Sequence, residues 1–250
     1  MGKKFFEIQE IVMNKLGLKT EIPSTQIVGR DRFIVVLSTL SNIATSLEKF
    51  ATEIRNLQRN EIGELEESFG KKQVGSSTMP HKKNPIICEQ ICGLARVIRS
   101  TLVPAWGNAV QWHERDLCNS SPERFIIPHS FILTDWILIQ MEKVFSNLKV
   151  HPDKMKKNIE NSKGLPMAEA AMMLLVQKGM GRQVAHELLR MSSLMSIKKE
   201  KHLKDVLLNN KKILQFLTER EIKNVFDPEK YLGEAEKMVE LTLRRLKNNA

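Results

Sequence analysis

The chain has 250 residues, of which 42% are hydrophobic and 27% are charged, as is usual for a globular protein. No apolar run approaches the roughly 20 residues that a membrane-spanning helix needs, and the start from Met1 to Phe6 lacks the apolar core and cleavage site of a signal peptide. The three cysteines, Cys88, Cys92 and Cys118, are too few for a disulfide framework, so we expect a cytoplasmic protein.

The formal net charge of +10 is compatible with nucleic acid, a membrane surface or an anionic small molecule as a partner. Much of the excess lies in two lysine-rich stretches, Lys154–Lys163 and Lys198–Lys212. Aromatic residues make up only 6% of the chain, so stacking platforms for single-stranded nucleic acid are scarce. We interpret most of this charge as solvated surface lysine and predict neither nucleic-acid nor membrane binding.

The first predicted element is a helix of about 35 residues, from Arg32 to about Glu67, which would be roughly 50 Å long at 1.5 Å per residue. Its apolar residues recur every three or four positions, the period of one helical face. They are Ile34, Leu37, Leu40, Ala44, Leu47, Ala51, Ile54 and Leu57. Such a length favours a bundle of long helices.

Two further long helices follow a polar loop that ends at Pro85. The second is predicted from about Pro85 to Leu102. The third is predicted from Ser121 to about Leu148, with Pro122 in its first turn and a kink at Pro128.

The remainder is predicted to form a small helical domain. We expect a charged segment at 151–166 that is loop-prone at its end, and divide the chain into 1–160, part of a central long-helix domain, and 161–250, a C-terminal helical domain. Shorter helices are predicted at about Met167–Lys178, Arg182–Met195, His202–Asn209 and Lys211–Thr218, and a last amphipathic helix at about Glu234–Lys247, after a turn capped at Asp227-Pro228. No β alternation of useful length is present, so the predicted fold class is all-α.

The most informative stretch is a polar loop, rich in hydroxyls and cations, that precedes the second helix. It reads Gly75-Ser76-Ser77-Thr78-Met79-Pro80-His81-Lys82-Lys83-Asn84-Pro85. Such a loop is suited to holding a carboxylate or phosphate and presenting a serine oxygen to it. The nucleotide-binding P-loop template fails because no second glycine precedes the lysine, and the Gly-x-Ser-x-Gly elbow of a hydrolase is also missing.

This loop resembles the signature loop of the fumarase/aspartase superfamily, and the histidine after Pro80 makes it most similar to the adenylosuccinate lyase branch. Two further stretches share the resemblance: Trp112–Leu117 with Ser120–Arg124, and Ser24–Gln26 with Arg30-Asp31. The resemblance implies a bundle of long helices contributed by four subunits, followed by a small helical domain.

The implied activity is elimination of fumarate from adenylosuccinate, giving AMP, and from the succinylcarboxamide ribotide of purine biosynthesis. By resemblance, Ser76 is the general base and Ser77 a neighbouring substrate ligand. Lys82 and Asn84 match residues that hold the succinyl carboxylates or stabilise the intermediate. Glu89 matches a glutamate that orients and polarises a histidine acid.

The nucleotide end of the substrate is assigned by the same resemblance. Arg115, Ser120 and Arg124 match residues that contact the nucleotide and its phosphate, and arginine suits phosphate because its planar fork donates two hydrogen bonds at once. Gln26 matches a substrate-binding glutamine. No cofactor is implied, and no cluster of His, Asp and Glu has the spacing of a metal site.

One part of the family pattern is not found. The family's general-acid histidines lie in two motifs well upstream of the signature loop, and nothing before Gly75 resembles them. We therefore expect the chain to correspond to the C-terminal part of such a lyase and to be weakly active or inactive by itself. The intact family is homotetrameric, with each active site assembled from three subunits.

Two alternatives stay open. A carboxymuconate cycloisomerase of the same superfamily has a similar loop, but its substrate has no phosphate for the arginines to bind. A non-catalytic basic helical protein, acting in oligomerisation or nucleic-acid binding, is the alternative from a different class; it would bind nucleic acid in a strongly salt-dependent way.

Overall fold

A computed structural model describes residues 2–68, 83–113 and 115–249. Regular structure in these ranges is helical apart from two strands of two residues each, which confirms the all-α prediction. The chain divides into two compact units, Met1–His151 and Pro152–Ala250. None of the helices described in these ranges combines the length and apolarity needed to cross a bilayer.

The first unit contains five α-helices and both strands within the described ranges. In chain order they are α1 (Phe5–Leu16), α2 (Asp31–Leu57), β1 (Leu65–Glu66), α3 (Ile86–Ser100), α4 (Leu102–Gly107), α5 (Ser120–Ser146) and β2 (Lys149–Val150). The two strands pair antiparallel, with Leu65 opposite Val150 and Glu66 opposite Lys149.

The core of this unit lies between α2, α3 and α5. Its buried residues recur every three or four positions along each helix and include alanines, which let the helix backbones approach closely. They are Ala44, Leu47, Ala51, Ile54, Cys88, Ile91, Cys92, Ala95, Ile98, Ile137, Met141 and Val144. The thiols of Cys88 and Cys92 are free and buried in this core.

Helices α3 and α5 run in opposite directions. Thr101, just after α3, lies 2.9 Å by its Oγ1 from the Oγ of Ser130, in the first half of α5. At the other end, Lys149 follows α5 and donates from Nζ to Oε1 of Glu66 at 3.2 Å. Glu66 in turn lies beside the start of α3, where it accepts a hydrogen bond from Lys83.

The predicted first helix was wrong at its C-terminal end, because α2 stops at Leu57. The chain then turns through Gly63, whose φ of 63° is a left-handed conformation that glycine adopts without strain. This turn lets Leu65 and Glu66 leave the helix and pair with β2. A propensity reading cannot anticipate the pairing, because the partner strand lies more than eighty residues later.

The other two long helices lie close to their predicted positions. The second is interrupted at Thr101, after which Pro104 falls in the first turn of α4, where a missing N–H costs no helical hydrogen bond. The third helix, α5, continues through Pro128. A kink at that proline stays a prediction.

The described part of the second unit contains seven α-helices of 4 to 18 residues and has its own core. They are α6 (Pro152–Asn161), α7 (Ala168–Gln177), α8 (Arg182–Lys199), α9 (Leu203–Leu208), α10 (Lys211–Leu214), α11 (Glu219–Val225) and α12 (Ala235–Asn249). Its buried core residues are Ala171, Leu175, Met180, Ala185, Leu189, Leu203, Leu207, Ile213, Leu217 and Ile222.

Two helices of this unit, α6 and α11, were not predicted. The charged segment forms α6, which begins with Pro152 in its first turn, a position that suits proline, and turns at 162–164 follow at its predicted loop-prone end. Helix α11 was not predicted, although its capping box of Thr218 and Glu221 is a readable start signal. The cap at Asp227 and the last amphipathic helix are confirmed.

Candidate functional site

Of the signature loop, the structure describes only the end. The predicted base Ser76, its neighbour Ser77 and the predicted carboxylate ligand Lys82 lie outside the described residues. Asn84 is half-buried, and Pro85 is the N-cap residue of α3. Glu89 is an exposed residue in the first turn of α3, so its carboxylate is open to an external partner.

A buried carboxylate closes the start of α3. Glu67 is 2% exposed, and its Oε1 accepts from the backbone N–H of Ile87 at 3.0 Å while Oε2 accepts from that of Cys88 at 2.9 Å. The first N–H groups of a helix have no partner within the helix, and a negative charge there is favourable. Burial, together with this nearby carboxylate, raises the pKa of the Cys88 thiol well above its ordinary range.

Gln58 and Glu66 connect the same region to the chain that precedes the loop. Gln58 accepts from the N–H of Glu67 at 2.8 Å and donates from Nε2 to the carbonyl of Lys83 at 3.1 Å. The Nζ of Lys83 donates to Glu66 at 2.8 Å. This hydrogen bond is the largest of the influences that lower the pKa of Glu66, and Lys149 acts in the same direction.

The predicted nucleotide-binding residues gather at the start of α5. Ser120 is the first residue of this helix, and Arg124 follows four positions later on the same face. The N-cap residue Asn119 makes no capping bond with its side chain. Arg115 and Arg124 are exposed, and neither forms an ion pair within the described part of the chain.

Asp116 shapes the loop that carries Arg115. Its carboxylate accepts from the backbone N–H of Trp112 at 3.1 Å and from that of Cys118 at 2.8 Å. These backbone hydrogen bonds lower the pKa of Asp116, because they stabilise its charged form. The ionised carboxylate therefore holds the loop around the arginine.

An ion pair joins the segment of Gln26 to the start of α5. Arg30 donates from Nε to Oε1 of Glu123 at 2.6 Å and from Nη2 to Oε2 at 3.2 Å. The two side chains are only 12% and 15% exposed, and Asn119 also donates to this carboxylate. The exposed Gln26 lies four residues before Arg30, so the pair brings its segment to the helix start that carries Ser120.

Sequence reasoning placed both Arg30 and Glu123 within motifs but gave neither a role. No local signal could have paired them, because they are 93 positions apart. The same holds for Glu67, which caps a helix that begins about twenty residues later. The chain offers no pattern that singles out either contact.

The structure brings the predicted residues together in two groups, not one. Asn84 and Glu89 lie at the start of α3, whereas Gln26, Ser120 and Arg124 belong to the start of α5. Since α3 and α5 are antiparallel, these starts lie at opposite ends of the helix pair. Helix α3 has 15 residues and is therefore about 22 Å long.

Two family models match the chain. One, described as lyase, matches residues 4–100. The other, described as adenylosuccinate lyase C-terminus, matches residues 164–241. Curated relatives named adenylosuccinate lyase include a Pyrococcus abyssi protein, 48% identical over 96% of this chain and 53% of its own length, and an Archaeoglobus fulgidus protein, 45% identical over 97% and 55%. The chain thus resembles the adenylosuccinate lyases along nearly its whole length.

The chain spans about half the length of the curated relatives it matches. Solved structures agree with the fold at lower identity. The 3-carboxy-cis,cis-muconate lactonizing enzyme from Pseudomonas putida matches with a TM-score of 0.87 and 30% identity over 99% of this chain and 55% of that one. A fumarate lyase from Mesorhizobium sp. BNC1 matches with 0.85 and 27% over 97% and 53%. The predicted fumarase/aspartase fold is thus confirmed.

Proposed function

We propose that this chain is part of a carbon–nitrogen lyase that eliminates fumarate from adenylosuccinate, giving AMP, and from the succinylcarboxamide ribotide of purine biosynthesis. The observation that carries the proposal is the open start of α5, where two exposed arginines without ion-pair partners in the described ranges flank a helix N-terminus. A helix start with arginines nearby is a favourable place for a phosphate.

In the proposed reaction, a base removes a proton from the carbon next to a carboxylate, the C–N bond breaks, and the leaving nitrogen receives a proton. We assign the first step to Ser76. Its hydroxyl is a weak base at neutral pH, so nearby cations must stabilise the alkoxide and the dianionic intermediate. Lys82 and Asn84 take that role, with Ser77 as a further ligand of the substrate.

Glu89 is proposed to orient the group that protonates the leaving nitrogen. Its exposed position in the first turn of α3 supports this, because its carboxylate is available to a residue from elsewhere. No motif in this chain matches the family's general-acid histidines. We therefore propose that the chain alone releases fumarate slowly or not at all.

The distance between the two groups of residues supports assembly of the site from more than one copy. One copy places its α3 start and its α5 start more than one α3 length apart, because Thr101 at the end of α3 contacts Ser130, ten residues into α5. Since one small substrate cannot reach both, we propose a homotetramer in which different copies supply the carboxylate end and the phosphate end. A cytoplasmic location goes with this role.

Ligand-induced stabilisation tests the proposal. Binding to the folded state raises the melting temperature by mass action, so AMP and adenylosuccinate should each raise the Tm of the chain. Replacing Arg115 and Arg124 by alanine should abolish both shifts. The matched control replaces Arg182 and Arg220, two exposed arginines of the second unit, with the same change in net charge; this variant should keep both shifts. Absence of any shift in the unaltered chain would contradict the proposal.

The structural likeness to a muconate lactonizing enzyme favours one rival substrate class, a carboxymuconate. Such a substrate offers carboxylates but no phosphate. A carboxymuconate reaction therefore predicts no Tm shift with AMP. The higher identity to the adenylosuccinate lyases, 45–48% against 30%, also supports the nucleotide substrate.

A further inference from the structure

The two described ends of the chain around residues 69–82 are bonded to each other. Gln58 contacts both: its side-chain oxygen accepts from Glu67 N–H, and its side-chain nitrogen donates to the Lys83 carbonyl. One side-chain amide therefore bonds to Glu67, shortly before the segment, and to Lys83, directly after it. We call Gln58, Glu66, Glu67 and Lys83 the stem clamp.

Glu67 makes the clamp unusually rigid. Burying a carboxylate is costly unless its charge is satisfied, and here both oxygens accept backbone hydrogen bonds from the first turn of α3. A helix start can be capped by an exposed serine or aspartate at the N-cap. A buried glutamate from about twenty residues earlier does more, because it attaches the start of α3 to the end of β1.

Lys83 is held at both its backbone and its side chain. Its carbonyl accepts from Gln58, and its ammonium group donates to Glu66. Glu66 itself pairs with β2 and with Lys149, so the clamp is anchored in the strand pair. Asn84 follows Lys83 directly in the chain, so the contacts of Lys83 also restrict the position of the Asn84 backbone.

We propose that Gln58 and Glu67 are positioning residues for the elimination. They fix Asn84 and the first turn of α3, including Glu89, relative to α2. The inference rests on the proposed function, since it concerns the carboxylate end of the same substrate. Catalytic groups depend on such support, because a misplacement of about 1 Å can cost on the order of a hundredfold in rate.

The test compares two ligands that differ only in the succinyl group. AMP reaches the phosphate end alone, whereas the succinyl group of adenylosuccinate also extends to the carboxylate end, which includes Asn84 and Glu89. We measure Kd for each by calorimetry, with the 250-residue chain at a concentration where light scattering shows its assembled state. The ratio of the two Kd values measures how much the succinyl group adds to the affinity, independently of the phosphate end.

Two variants probe the clamp. Glu67→Gln keeps the shape but places an NH₂ group against a backbone N–H. Gln58→Leu removes both bonds of a half-buried side chain and is the milder change for folding. Each should lower the preference for adenylosuccinate roughly tenfold, the equivalent of about 1.4 kcal/mol, and leave the AMP Kd unchanged.

The control is Thr218→Ala, which removes the capping box of α11 in the second unit. It should lower the Tm without changing the Kd ratio, as any merely structural change would. An unaltered ratio in both clamp variants, with a clear preference in the unaltered chain, overturns the positioning role and leaves the proposed function standing. If the unaltered chain binds neither ligand, the proposed function fails and the inference fails with it.

Discussion

The starts of α3 and α5 differ in what occupies them. At α3, the free N–H groups are bonded to the buried carboxylate of Glu67. At α5, the N-cap side chain makes no such bond, and the carboxylate in the first turn, Glu123, is paired with Arg30. The same positive helix end is thus closed by the protein in one case and left open in the other.

The two helix starts therefore have different roles: the start of α3 supports neighbouring residues, whereas the start of α5 can bind an anion. A helix start already filled by an internal carboxylate has no capacity for an external anion, so α3 presents its neighbours Asn84 and Glu89 on a rigid base. At the α5 start, the N–H of Ser120 donates to the Leu117 carbonyl and Pro122 has no N–H, so a phosphate there would rely on the helix dipole, the N–H of Ser121 and the nearby arginines. Neutralising Glu123 with Arg30 preserves the affinity of this helix start for a phosphate, because it removes a competing negative charge.

The largest effect on stability is expected at the closed helix start. Glu67→Ala leaves two N–H groups without their carboxylate and should lower the free energy of unfolding by about 3 kcal/mol. Urea denaturation measures the change. Glu89→Ala, in the same helix turn but exposed, should cost about 0.5 kcal/mol or less. Equal losses in the two variants would contradict the distinction.

The Arg30–Glu123 pair should give the next largest effect. Glu123→Gln leaves a mostly buried guanidinium with a neutral partner and should cost about 2 kcal/mol of unfolding free energy. The exposed pair of Lys223 and Glu219 is the control, since Glu219→Gln should cost at most about 0.5 kcal/mol. Weaker AMP binding in the first variant alone would show that the pair also supports the open helix start.

A smaller change is expected from Ser120→Ala at the open helix start. The hydroxyl has no structural duty as a cap, so stability should stay within about 0.5 kcal/mol. AMP should bind about fivefold more weakly, the equivalent of roughly 1 kcal/mol for one lost hydrogen bond. Isothermal calorimetry measures the affinity. A loss of stability without a loss of AMP affinity would contradict the proposed role of Ser120 in nucleotide binding.

The smallest effect concerns pH at the closed helix start. The pKa of Glu66 is lowered in the folded protein, chiefly by the hydrogen bond from Lys83. Its ionised form therefore stabilises the fold above the ordinary carboxyl pKa, and this contribution is lost as pH falls through the lowered pKa. The Tm difference between the unaltered chain and Glu66→Gln should be present at pH 7 and shrink progressively as the pH falls below the ordinary carboxyl pKa. A difference that persists in acid would exclude this cause.

The sequence predicted the helical fold well, because apolar periodicity marks the faces of α2, α3 and α5. The end of α2 was missed because it depends on pairing between β1 and β2, which no local pattern shows. Helix α11 could have been predicted, because the capping box of Thr218 and Glu221 marks its start in the sequence.

The candidate site was predictable only where a motif carries it. Ser120 and Arg124 could be placed at a helix start from sequence, and the structure has them there. The supporting contacts of Glu67 and Arg30 could not be predicted, because charged residues are frequent and their partners lie far away in sequence. The sequence could not predict that the two groups of residues lie at opposite ends of the helix pair, because this depends on the relative direction of α3 and α5.

The distribution of thiols gives the chain a built-in attachment point for a reporter dye. Cys88 and Cys92 are buried, whereas Cys118 is exposed between Arg115 and Ser120. Its neighbour Asp116 raises the pKa of Cys118, so alkylation will be fastest in mildly alkaline buffer, where more thiolate forms. A maleimide fluorophore would therefore label this one position in the native chain, without any engineered cysteine, and its emission would follow nucleotide arrival in real time.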